Sequence, residues 1–106
     1  MSDLCVIFCT CPNKSNARDI ACKVVEQELA ACVNILAGMV SVYRWEGKVQ
    51  QDSECQLVIK TLKASQQKLK ELVFSMHPYD VPEWIVLDVD SASVDYQDWI
   101  SNSCKT

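Results

Sequence analysis

The tripeptide Glu46-Gly47-Lys48 restricts the fold of this chain more than any other segment. Glycine supplies the positive φ of a tight hairpin turn, and extended patterns lie on both sides of it. Before it, Val33 to Tyr43 reads as a strand, with Gly38 as a bulge or bend. After it, Ser53 to Thr61 reads as the partner, centred on Leu57-Val58-Ile59. A mid-chain hairpin with a helix-period segment on each side leaves few ways to build a sheet.

Upstream, Leu4 to Cys9 is a continuous apolar run, short enough for a strand buried on both faces. Thr10 to Ser15, with Pro12 and Asn13, reads as a turn. A helix is expected from about Asn16 to Ala31, capped by Ser15 and with Asp19 near its positive end. Ala17, Ile20, Ala21, Val24 and Val25 form its stripe, and Glu28 falls close to that stripe. Downstream, Ser65 is expected to cap a second helix with the stripe Leu69, Leu72, Val73 and Met76, ended by Pro78. Ile85, Leu87 and Val89 alternate with Val86, Asp88 and Asp90 as a last strand. A helix from about Val94 is expected to bury Tyr96, Trp99 and Ile100. The resulting fold class is α+β, a ferredoxin-like split β-α-β-β-α-β sandwich with an extra C-terminal helix, in a single domain over residues 1–106.

Charge narrows the partners. Ten basic against fourteen acidic residues give a net charge of −4, which leaves no surplus for a phosphate backbone, so nucleic acid is not expected. Met1-Ser2-Asp3 carries no positive n-region, and the apolar run behind it is too short to span a bilayer; no membrane insertion and a cytoplasmic location are expected. Seven cysteines, odd in number and scattered, argue for a reduced protein rather than a disulfide framework. Cys22 and Cys32 fall on the first helix or its end, Cys55 in a strand, and Cys104 in a polar tail that is expected to fray.

The chemistry concentrates at Met76-His77-Pro78-Tyr79, which holds the only histidine. One reading is a helix stopped by proline, with His77 near its last carbonyls. The other is a metal site, because thiol, thioether and imidazole suit a soft or borderline ion such as copper. Cys9-x-Cys11 offers two thiolates, and Met76 with His77 is the obvious source of a third ligand. The start of the first helix and the end of the second are expected at opposite ends of the sheet, leaving Cys11 too far from His77 and Cys9 nearer. Cys9 as core and Cys11 as an incidental thiol stand as an equal alternative. A Cys9–His77 nucleophile pair is conceivable, yet no nucleophile elbow or phosphate loop accompanies it, so no enzyme is expected. Tyr43 and Trp45 beside the hairpin end predict a homo-oligomer that covers them, unless they fold back onto the C-terminal helix.

Five blocks carry a resemblance: 30–35 (AACVNI), 41–48 (SVYRWEGK), Glu54 with Lys60-Thr61, 77–83 (HPYDVPE) and 96–100 (YQDWI). In order and nearly from end to end, the chain resembles the CutA divalent-cation tolerance family. The resemblance implies a ferredoxin-like protomer, similar to PII-like signalling proteins, assembled as a homotrimer through its long hairpin. It also implies tolerance to divalent metals, with copper, as Cu(I) or Cu(II), bound at Cys9, Met76 and His77. Family members place two adjacent histidines before Pro-Tyr; here methionine holds the first position, which moves the set toward Cu(I). The alternative is a PII-like signalling or anchoring protein with an indirect metal role, in which Glu54, Lys60, Tyr79 and Glu83, gathered near the subunit clefts, hold a small anionic effector, or whose protein partner is unknown. A metallochaperone of the same topology would carry Cys-x-x-Cys where this chain has Cys9-x-Cys11.

Overall fold

The computed structural model describes residues 2–105; Met1 and Thr106, the ends of the expected domain, lie outside the described residues. The elements run β1 (Leu4–Cys11), α1 (Lys14–Glu26), β2 (Cys32–Trp45), β3 (Lys48–Leu62), a 3₁₀ turn (Lys63–Ser65), α2 (Gln66–Met76), β4 (Ile85–Asp88) and α3 (Val94–Ser103). The strands form an antiparallel sheet in the order β2-β3-β1-β4. This is the expected α+β ferredoxin-like arrangement with its extra C-terminal helix.

Alternation explains how the sheet meets its helices. Cys5, Ile7, Cys9 and Cys11 of β1 and Cys55, Leu57 and Ile59 of β3 point to one face and are buried there. Ala17, Ile20 and Val24 of α1 and Leu69 and Val73 of α2 close that face into the main core. Leu72 and Met76 complete the α2 stripe from the rim of the same cluster. A second cluster joins Leu4 and Leu62 to Ile100 and Cys104. Cys104 is thus buried and not frayed, within 3.7 Å of the Thr61 hydroxyl.

Several boundaries differ from expectation, each for a local reason. α1 is capped by Asn13, not Ser15: its Oδ1 accepts from the Asn16 N–H at 2.8 Å. The helix stops at Glu26 because Glu28 adopts φ +59°, while the Leu29 N–H reaches Val24 O at 2.9 Å and the Glu28 N–H reaches Val25 O at 3.0 Å. That is a Schellman closure with glutamate where glycine is favoured. Glu28→Gly is therefore expected to stabilise the protein by about 0.5–1 kcal/mol, read as a higher urea midpoint at unchanged m-value. Ser65 stands at the N-cap of α2 without capping it; its hydroxyl donates instead to Lys105 O at 3.3 Å. In α3, Tyr96 and Trp99 remain 39% and 47% exposed, and only Ile100 is buried, since the short helix turns one side to the sheet.

β2 and β3 extend beyond the rest of the sheet. β1 pairs with β3 only as far as Cys11↔Cys55, whereas β2 and β3 continue from Met39↔Glu54 to Trp45↔Lys48 as a two-stranded ribbon. The Glu46-Gly47 turn has positive φ at both residues, +50° and +79°, the geometry that matches strand twist. A bulge between Leu36 and Met39, with Gly38 at φ +76°, bears out the expected irregularity in β2. Val40, Val42 and Val49 on the ribbon are each more than 60% exposed, and Trp45 is half exposed.

Candidate metal centre

Cys9 and Cys11 lie two residues apart on β1, so both thiols enter the helix-covered face, and both are fully buried. α2 delivers the third group. β4 runs antiparallel to β1 with Ile85 opposite Phe8, so the chain leaving α2 returns to the C-terminal end of β1. His77 therefore arrives beside Cys11 as well as Cys9. This overturns the expectation that Cys11 lies too far from it: the ligand atoms of Cys9, Cys11 and His77 all fall within 4.8 Å of one another. Met76, one residue earlier, packs against the core cluster as the last residue of the α2 stripe.

His77 ends the helix with φ −83° and ψ 133°, the extended conformation imposed by the following proline. Both ring nitrogens are engaged: Nε2 lies 2.8 Å from Thr10 O, and the Tyr79 N–H reaches Nδ1 at 3.1 Å. A carbonyl only accepts and an amide N–H only donates. The ring is thus neutral, with its proton on Nε2 and its lone pair on Nδ1.

The two thiols share a hydrogen bond. It holds the Cys9 thiol well above its ordinary range, with burial adding to the effect, and draws Cys11 below its own. Cys11 is the readier thiolate, and Cys9 keeps the proton. Two sulfurs and one imidazole nitrogen in a dry pocket match a soft or borderline ion, so these residues fit such a metal. Further along β1, burial pushes the Cys5 thiol up to about 11 from 9.0. The folded chain holds this proton where the unfolded chain has lost it. Stability from Cys5 is complete below pH 9 and falls as pH rises toward 11, and Cys9 acts in the same direction. A denaturation series across that range is expected to show the fall, and Cys5→Ala to flatten it.

Across β1 from the thiols opens a cleft of about 660 Å³ between the ribbon and the 78–83 segment, with Thr10, Tyr43, Trp45, Glu54, Tyr79 and Glu83 on its walls. The Tyr79 hydroxyl donates to Glu54 Oε2 at 2.5 Å, and burial together with that carboxylate pushes the phenol up. Thr10 Oγ1 and Gln56 Nε2 both donate to Glu83 Oε1, at 2.9 and 3.1 Å. Tyr43 donates to Asp52. The structure thus joins Glu54, Tyr79 and Glu83, but not Lys60, which lies over the Tyr96 ring at 5.9 Å. Six residues of strand separate Lys60 from Glu54, roughly 20 Å. Within one protomer the walls carry Asp52, Glu54, Asp80 and Glu83 and neither lysine nor arginine, so these residues alone do not form an anion site. Sequence reasoning missed the partnership of Cys11 with His77, although the i, i+2 spacing of the thiols already placed them on one face.

Among the described residues, no helix is long and apolar enough to cross a membrane. Residues 5–103 match the family described as CutA1 divalent ion tolerance protein. The chain is 43% identical over 100 residues to the divalent-cation tolerance protein CutA of Citrobacter koseri, covering 94% of this chain and 87% of that one. The structure of CutA1 from Oryza sativa superposes with a TM-score of 0.94 at 43% identity, covering 96% of this chain and 94% of the other. The divalent cation tolerance protein Cut A1 of Thermus thermophilus gives 0.93 at 42% identity, over 96% and 99% of the two chains.

Proposed function

Since this chain belongs to the CutA1 divalent ion tolerance protein family, we propose that it serves that tolerance by holding a soft metal ion, copper first, at Cys9, Cys11 and His77. The family role is divalent-cation tolerance, and the chain is not an enzyme. The observation that carries the metal reading is the convergence of two sulfurs and an imidazole within 4.8 Å at the end of β1. Thiolate sulfur favours Cu(I), and imidazole suits both oxidation states. Met76 serves mainly as core and adds a thioether only if α2 gives way at its last turn.

The working unit in this reading is a cytoplasmic homotrimer. The ribbon supports it, because Val40, Val42, Val49 and Trp45 leave apolar surface that a second copy of the chain would cover. Free thiols at all seven cysteines suit a reducing compartment. The cleft favours a second reading, in which the metal role is indirect and a small effector sits against Tyr43, Trp45 and Tyr79. Titration of the reduced protein with Cu(I) and Cu(II) separately, with mass by light scattering, distinguishes them. Stoichiometric binding that fails in His77→Ala while the trimer persists supports the metal reading. Weak binding indifferent to His77 and both thiols would sink it.

A further inference from the structure

His77 has no spare lone pair. Its two nitrogens are already committed, Nε2 as donor to Thr10 O and Nδ1 as acceptor from the Tyr79 N–H. We infer that metal capture by His77 obligatorily releases the Tyr79 amide, so that site occupancy is transmitted to the cleft wall that Tyr79 forms. This rests on the reading of His77 as a ligand.

The inference follows from the two tautomers of a neutral imidazole, each of which has one donor and one acceptor nitrogen. If His77 gives its Nδ1 lone pair to a metal, the Tyr79 N–H loses its acceptor directly. If it gives the Nε2 lone pair instead, the proton moves to Nδ1 and faces the Tyr79 N–H, donor against donor. Both routes break the same bond. In the second route the Thr10 carbonyl also loses its donor.

The consequence reaches beyond one amide. The Tyr79 side chain holds Glu54 across the cleft, while Thr10, whose carbonyl meets the ring, holds Glu83 through its hydroxyl. His77 is therefore the joint between the thiol pocket and both of these contacts. By reciprocity, whatever weakens the Tyr79–His77 bond strengthens metal binding by the same factor.

The test uses the assembled protein with Zn(II) and Cu(I) added separately; both ions are diamagnetic and leave amide signals readable. Stoichiometric metal is expected to shift the Tyr79 amide resonance and speed its hydrogen exchange about five- to tenfold, the scale of one hydrogen bond. Tyr79→Pro, which has no N–H, is expected to bind metal about fivefold more tightly than Tyr79→Ala, which keeps it. Metal binding that depends on His77 but leaves the Tyr79 amide protected would overturn the inference and leave the metal reading standing. Binding absent, or indifferent to Cys9→Ser, Cys11→Ser and His77→Ala alike, would remove both. Should Tyr79→Pro fail to fold, the exchange measurement decides alone.

Discussion

Cys11→Ser is expected to lower metal affinity by roughly 100- to 1000-fold. Small thiolate and imidazole sites bind zinc with about 10–16 kcal/mol, so one ligand of three or four carries a few kcal/mol. Cys9→Ser should match it. Cys22→Ser, at an exposed position on α1, should leave affinity unchanged. Met76→Leu separates ligand from core: a volume-conserving exchange in the α2 stripe should cost less than about 1.5 kcal/mol of stability and, if the thioether is core, leave affinity alone. Competition against a chromophoric Cu(I) chelator reads all four. Full affinity in Cys11→Ser would mean that the proximity of Cys11 to His77 has no bearing on metal.

Leu57→Ala is the substitution with the largest expected structural cost, about 2–5 kcal/mol. Leu57 is fully buried and lies opposite Cys9 in one ladder and Ile35 in the next, so its removal opens a cavity between three strands and two helices. The void adjoins the thiols, so metal affinity should fall with stability. Val49→Ala on the ribbon, where the side chain is mostly exposed, should cost the isolated protomer less than about 0.5 kcal/mol. Urea midpoints of the two variants check the contrast; equal losses would mean that Val49 is covered in solution, as the proposed second copy of the chain would cover it.

The order of elements was legible because each carries its own period. Leu69, Leu72, Val73 and Met76 mark a helix face, and the Glu46-Gly47 turn pins the hairpin between the two helices. Ends were less legible. Glu28 looks like one more helical residue, and only its left-handed backbone shows that the helix has stopped. The first residues of β3, Lys48 to Asp52, show no apolar alternation because they face solvent, and their strand character comes from the ladder alone. The candidate metal centre was half legible. Cys9 and His77 stood out by residue type, but the nearness of Cys11 depends on β4 pairing back along β1, a long-range fact that no local pattern encodes. Lys60 lies away from the cleft of its own protomer for the complementary reason: nearness in sequence blocks says nothing about position along a strand.

The irregularity at Gly38 has a consequence for how this chain can change. In an unbroken strand, odd residues share a side throughout, so a choice made at one end binds the other. Here Ile35 packs toward the helices while Tyr43 and Trp45, also odd, line the cleft on the opposite side. The extra residue acts as a phase shifter between two stretches of the same strand. Deleting Ala37 or Gly38 would remove it and straighten the ribbon, yet keep Met39 opposite Glu54 and the aromatic wall in place. A one-residue slip at the hairpin tip would do the reverse, turning Val42 and Arg44 into the cleft. Core and ribbon are thus free to diverge separately, with the joint between them rather than either sequence deciding which side chains line the cleft.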